Sequence, residues 1–509
     1  MPGRSKQVCL ARVASTPPWT CNLPILRVRA LAPLRGLDWQ AALALWPRLD
    51  EEVKRYTLAP EGGILQTVIS GRILAAFLLI ASLGFNAPQA LGADLPLTQG
   101  VSAVHHLAWT RSANIYEVNI RQSTPEGTFR AFERHLPRLR RMGVDILWIM
   151  PINPIARTMR KGSLGSYYAV SDYKAINPEY GDLDDFRHLV IAAHRLGFKV
   201  IIDWVANHTG WDHVWVEQHP DWYLRGPGGA LQGYHYTDLS DHHQEVWEDV
   251  IGLDYSKPEV RAGMIDAMSY WLKAAHIDGF RCDVAWTLPV SFWDEARAAL
   301  DRIKPVFMLA EADTEATQIH AFDMTYNWTL YHLLIKVAKG EADARDLAAL
   351  YTQPVRKYPR GGYRMNFLSD HDENSWNGTD QELYGDGTEA MAVIAATLPG
   401  MPLIYGGEES GLDHRLAFFE KDQINWRRYE QTDFYARLLK LKHDHPALTS
   451  EMQPGNLVLI DTGDAKVFAF SRIKGADRVT VVVNLTAQSR TVLISGHSLT
   501  LPGWGWKIS

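Results

Sequence analysis

From about residue 113 onward the chain alternates two patterns: short, continuously apolar runs and longer segments whose apolar positions recur at helical spacing. The run "NIYEVNI" precedes the helical "FRAFERHLPRLRRMG", which Gly143 stops. "VDILWIMP" precedes "DLDDFRHLVIAAHRLG", with Asp182 as its cap and Gly197 as its stop. "FKVIIDWV" comes next, and after a loop-rich stretch the helix "PEVRAGMIDAMSYWLKAAH" opens on Pro258. The pattern continues through "IDGFRCDV", "SFWDEARAALDRIK", "PVFMLAEAD", "AFDMTY", "NWTLYHLLIKVAKG", "YRMNFLSD", "TEAMAVIAATLPG" and "MPLIYGGEE". Eight apolar runs qualify as strands, and most lack alternation, as parallel strands buried on both faces do. Eight such units in series predict a (β/α)8 barrel over residues 94–430. A doubly wound sheet is the alternative, but no Gly-rich phosphate loop opens any of the helices. Residues 205–255 are too many for a βα loop and predict a small lobe inserted after the third strand. Beyond about residue 440 the period becomes two, in "KVFAFSRI", "RVTVVVNLT" and "RTVLISG", so residues 431–509 are assigned to an antiparallel β domain.

Residues 1–93 differ from the rest. Up to residue 67 they are rich in Arg and Pro without sustained periodicity; then Arg72 flanks an apolar run from Ile73 to Phe85, followed by small residues at Ala90, Gly92 and Ala93. The run is shorter than the roughly 20 residues a bilayer span needs, but has the length and flanks of a secretory signal. The expectation is therefore an exported protein, periplasmic or extracellular, with no stable membrane anchor after cleavage. Cys9 and Cys21 would leave with the signal, and Cys282 alone could form no internal disulfide.

Composition narrows the function classes. The 509 residues are 46% hydrophobic and 22% charged, as in soluble globular proteins, and the net charge of -6 with no dense basic stripe argues against nucleic-acid binding. The 18 Trp and 20 Tyr suit the apolar faces of sugars, although aromatic residues also simply fill large cores.

The chemistry lies in where the charges fall. A barrel carries its site at the C-terminal ends of its strands. The third run ends with Asp203, Asn207 and His208, the fourth contains Arg281 and Asp283, the fifth ends at Glu311, and the seventh ends with Asp370, His371 and Asp372. A charge inside an apolar strand costs several kcal/mol unless it is paired. Four strands pointing acids at one rim indicate a site, since repulsion of that kind persists where it is used. Two carboxylates facing one bond are what glycoside hydrolysis requires. Arg281, two residues from Asp283 on the same strand face, is expected to hold Asp283 ionised as a nucleophile.

"DWVANH", "GFRCDVA", Glu311 after a fifth strand and "HD" at the seventh resemble the four sequence segments of the α-amylase family of retaining glycosidases. The resemblance covers about residues 113–430, and the C-terminal β domain matches as well. It implies Asp283 as nucleophile, Glu311 as general acid/base and Asp372 as a third carboxylate holding sugar hydroxyls. It also implies that Arg281, His208 and His371 line the same subsite, that Asp203 positions them, and that Tyr168 stacks on the sugar ring. Asp172 and Tyr173 match the family's "DY".

Three positions depart from the pattern. Asp370 stands where Asn is common, and either perturbs its neighbours or bonds a loop amide. Thr287 stands where calcium-binding members have His; Asn207 alone matches another calcium ligand, so no cofactor, calcium included, is expected to be required. Trp286 either stacks on a sugar in a leaving-group subsite or packs under the lobe. His213, His242 and His243 lack the spacing of a zinc site and are expected to be exposed lobe residues.

The resemblance implies hydrolysis of α-1,4 bonds in starch-like glucans or malto-oligosaccharides through a covalent glycosyl-enzyme. An exo-acting α-glucosidase or a transglycosylase uses the same groups. A non-catalytic glucan-binding protein is a more distant alternative, since binding alone does not require the acid.

Overall fold

The computed structural model describes residues 101–237, 243–352, 359–426, 431–451 and 456–509. The expected export signal, Cys9, Cys21 and His242 lie outside the described residues. Eight parallel strands close into a barrel: β1 (Ile115–Val118), β2 (Ile146–Ile149), β3 (Lys199–Trp204), β4 (Gly279–Cys282), β5 (Phe307–Ala310), β6 (Met324–Tyr326), β7 (Tyr363–Asn366) and β8 (Met401–Tyr405). Each is one of the eight apolar runs. Seven of the eight are buried along their whole length apart from at most one residue at an end or edge, which is why their residues do not alternate.

Local signals set the helix ends. Asp182 and Asp185 form a capping box at the start of Leu183–Arg195, and Gly143 (φ 100°) and Gly197 (φ 88°) take the left-handed turns that release the chain into β2 and β3. Asn327 caps Trp328–Ala338 by accepting the Leu330 N–H. Among the described residues no helix is long and apolar enough to cross a membrane.

The segment after β3 folds as two antiparallel ribbons, His208–Gly210 with Val250–Gly252 and Tyr234–Thr237 with Gln244–Trp247. The helix Thr432–Asp444 follows β8 and buries Phe434, Leu438 and Leu439; Tyr435 hydroxyl reaches Glu408 behind β8 at 2.6 Å. Its last turn also reaches the bottom of the barrel, where His443 Nε2 meets Asp145 at 2.7 Å. It thus serves as the barrel's last helix although its residues were assigned to the β domain. The strands of that domain begin at Leu457 and form an antiparallel sheet in the order Leu457–Leu459, Val467–Lys474, Asp477–Asn484, Trp506–Ile508.

Register places the charges. Asp203 on β3 is level with Arg281 on β4, and Glu117 on β1 is level with Trp148 on β2. Gly279, two residues before Arg281, lets β4 approach β5: a Cβ there would lie 1.8 Å from the Phe307 carbonyl oxygen. Backbone cannot yield as a flexible side chain does. We therefore expect Gly279→Ala to cost about 3 kcal/mol or more in a urea titration; an unchanged midpoint would refute the close approach.

Candidate active site

Arg281, wholly buried at the end of β4, joins three strands. Its Nη1 donates to Asp203 Oδ1 and to Asp283 Oδ1, both at 3.0 Å, and its Nε donates to the Tyr326 hydroxyl at 3.1 Å. Nη2 lies 3.0 Å from Glu311 Oε2, an ion-pair contact without the alignment of a hydrogen bond. The guanidinium also faces the rings of Trp148 (5.1 Å), Tyr326 (5.7 Å) and Tyr168 (5.9 Å). Asp203 is completed by Trp148 Nε1 at 3.0 Å and the Tyr168 hydroxyl at 3.1 Å. Glu311 Oε2 accepts the Val284 N–H at 2.6 Å. Val284 sits at φ 36°, ψ 44°, a left-handed conformation that strains a β-branched residue directly after Asp283.

Three carboxylates share one cation here, and the balance follows. Burial pushes Asp283 well above its usual range and the neighbouring Glu311 pushes it further, while Arg281 pulls it back without cancelling them. Burial likewise raises Glu311 against the pull of Arg281. The expectation that Arg281 alone keeps Asp283 ionised therefore needs correction. The guanidinium is divided among Asp203, Asp283 and Glu311, and its pull does not outweigh burial at either Asp283 or Glu311.

A second charged centre lies just beyond β7. His371 Nδ1 meets Glu117 at 2.6 Å, and its Nε2 meets the Tyr168 hydroxyl at 2.6 Å and Asp372 Oδ2 at 3.3 Å. Burial opposes the imidazolium, but Asp372 and Glu117 outweigh it and hold His371 well above its ordinary value. Burial would raise Asp372 too; His371 wins, and Asp372 stays below its ordinary value. The Asp372 side chain is 43% exposed, against 10% for Asp283 and 9% for Glu311, so it is the carboxylate most open to solvent.

The structure thus gathers Asp203, Arg281, Asp283, Glu311, His371, Asp372 and Tyr168 at one end of the barrel. His208 is buried on the lobe ribbon beside Tyr234 and Trp247, and burial lowers it to about 4, which makes it a neutral imidazole. Trp286 is half-buried, edge-on to Tyr236 of the lobe and to Trp328, and its enclosed Nε1 has no hydrogen-bond partner among the described residues. Asp370 bonds loop amides: its Oδ1 accepts from Asp372 N at 3.0 Å and Glu373 N at 2.8 Å. Tyr173 is structural, its hydroxyl donating to the Val205 and His208 carbonyls, and Asp172 caps its own turn at Lys174 N. His213, expected to be exposed, is buried against Tyr173 and Trp215, where its Nδ1 accepts the Trp215 N–H. His243 is exposed.

The residues do not fit calcium at Asn207. Its Oδ1 accepts from the Thr287 hydroxyl at 3.0 Å, and that hydroxyl is also tied to the Val284 carbonyl at 2.8 Å. Among the described residues no group of three or more His, Cys, Asp and Glu is placed to hold a metal. Sequence reasoning missed Glu117, Trp148, Tyr326 and Trp376. Glu117 carried a readable signal, a carboxylate inside a continuously apolar strand. For His371 the direction is checkable by carbon-13 histidine NMR. It should remain protonated at pH 7.5, and Glu117→Gln, by removing an anion, should move its midpoint down.

A model described as the catalytic domain of α-amylase matches residues 110–449. The α-amylase MalA of Haloarcula japonica is 30% identical over 402 residues, 76% of this chain and 57% of that protein. The α-1,4-glucan:maltose-1-phosphate maltosyltransferase of Salinibacter ruber is 25% identical over 82% of this chain and 68% of its own length. The crystal structure of an α-amylase from Lactobacillus plantarum superposes with a TM-score of 0.68 at 28% identity, over 79% of this chain and 99% of that one. The chain spans little more than half of MalA. Barrel, β domain and matched catalytic domain agree: this chain belongs to the α-amylase family, whose members are glycoside hydrolases and transferases.

Proposed function

We propose that the chain cleaves α-1,4 bonds of starch-like glucans or malto-oligosaccharides with retention of configuration. The observation that carries this reading is the single guanidinium of Arg281 in contact with both Asp283 and Glu311. One proton shared by that pair supplies an acid and a nucleophile at the same pH. Glu311 gives its proton to the leaving oxygen as the Asp283 carboxylate attacks the anomeric carbon, breaking the glycosidic bond and forming a glycosyl ester. Glu311, now a carboxylate, takes a proton from water as the water oxygen displaces Asp283. Asp372, kept anionic by His371, accepts hydrogen bonds from sugar hydroxyls, and Tyr168 offers its ring to the sugar face.

Transfer to an acceptor sugar is the second reading, and the similarity to a maltosyltransferase over 82% of this chain favours it. An acceptor hydroxyl replaces water in the second step, and the same residues act. A purely glucan-binding role accounts less well for the site, because binding does not require two carboxylates whose shared burial is costly.

Glu311→Gln should abolish turnover of unactivated glucans while leaving binding nearly intact, and Asp283→Asn should cost about 4–8 kcal/mol of transition-state stabilisation. A time course on maltoheptaose with anomers followed by NMR decides the class: α-anomeric products support retention, chains longer than the substrate indicate transfer, and β-anomers exclude the mechanism. Because Thr287 occupies the Asn207 oxygen, a chelator should leave both activity and melting temperature unchanged.

A further inference from the structure

After Asp372 the chain makes one widened helical turn, Glu373–Asn377, closed by the Gly378 N–H bonding the Glu373 carbonyl five residues back at 2.9 Å. Such turns are rare and gather at functional sites. This one projects Trp376 outward, 53% exposed.

Trp376 is nonetheless held in place. Glu373 anchors the turn to the core by accepting from the Tyr331 hydroxyl at 2.6 Å and Asn377 Nδ2 at 2.5 Å. The segment after β8 is tied to the same turn: Leu416 N donates to Asn374 Oδ1 at 2.9 Å, Ser375 donates to the Leu416 carbonyl at 3.0 Å, and Arg415 donates to the Trp376 carbonyl at 3.3 Å. That segment brings Phe418 against Trp376, centroids 5.4 Å apart at 36°, and Phe419 to 5.9 Å. Phe418 in turn stacks on Tyr168 at 6.2 Å and 21°. An aromatic path therefore runs from the floor of the site to an exposed indole. At its outer end the indole Nε1 donates to Asp372 Oδ1 at 3.3 Å.

We propose that Trp376, backed by Phe418, is a stacking platform for a second glucosyl residue of an α-glucan, next to the one at Tyr168, and that its indole N–H positions Asp372. The inference rests on the α-glucan reading above and adds to it a rim subsite and a positioning residue. The two roles are separable. Trp376→Phe keeps an aromatic face and removes the donor; Trp376→Ala removes both. Asp372 is faced by His371 beside it, by Arg281, Asp283 and Glu311 across the site, and by Asp370 behind the turn, and neither substitution alters these.

The test is kcat and KM on maltoheptaose against pH, with binding of maltoheptaose measured by calorimetry. Trp376→Ala should raise KM and weaken binding by about tenfold. Trp376→Phe should keep KM within about twofold, lower kcat roughly threefold to tenfold, and move the acid limb of kcat/KM upward, since a lost donor to the carboxylate raises its pKa. A general loss of structure would not move a pH limb while sparing KM. An active wild-type chain whose two variants match it in KM and pH profile overturns this inference alone. A wild-type chain that neither cleaves nor binds α-glucans overturns it together with the reading it rests on.

Discussion

A guanidinium inside a barrel strand organises this molecule. Burying Arg281 would cost several kcal/mol if its charge were alone, and removing one partner of a buried pair leaves the other uncompensated. The cost is met from three strands at once, by Asp203 on β3, Asp283 after β4 and Glu311 after β5. Those partners are possible only if β3, β4 and β5 end at matched heights. The register that sets Asp203 beside Arg281 and the contact that requires Gly279 against Phe307 fix those heights. Barrel geometry and site chemistry are therefore one constraint: a shift of β4 by a single residue would turn Arg281 away and strand three carboxylates.

The second centre repeats the arrangement with an imidazolium. His371 is a buried cation between two anions, one from β1 and one beside it, and Tyr168 bridges from His371 to Asp203. The two hubs are thus joined through one phenol. The consequence is a division among carboxylates of the same kind. Asp283 and Glu311 are raised by burial, which the one guanidinium they share does not offset, whereas the adjacent His371 imidazolium, with help from Arg281, holds Asp372 down. In the proposed reaction the acid, the nucleophile and the hydroxyl acceptor would be distinguished by burial and by how cations are shared among them.

Much of this was legible in the sequence, and for a definable reason. A charge within an unbroken apolar run is so costly that it announces itself, which is how Asp203, Arg281, Asp283 and Glu311 stand out. Glu117 obeyed the same rule and was overlooked because its run also reads as an ordinary strand. The helix Thr432–Asp444 ends at a readable stop, Pro446 two residues on, and that stop marks the boundary better than the change to period two does. The burial of His213 is a tertiary outcome: Trp215 is its near neighbour in sequence, but Tyr173, which closes the other side, comes from forty residues earlier. Trp376 and Phe418 were invisible for the same reason, since the hydrogen bonds that join their segments span some forty residues of chain.

The direction of Asp283 shows where pairwise reasoning from sequence fails. Two residues apart on one strand, an arginine and an aspartate suggest a simple ion pair that favours the carboxylate. The fold adds Asp203 and Glu311 to the same guanidinium and removes water from all of them, and the sign of the shift reverses. In the proposed reaction a substrate would enter this balance as well. Its glycosidic oxygen would give a proton on Glu311 a destination, and the positive charge growing at the anomeric carbon would add a cation beside carboxylates that burial and mutual repulsion raise. On that reading the network is complementary to the reacting sugar rather than to the resting one.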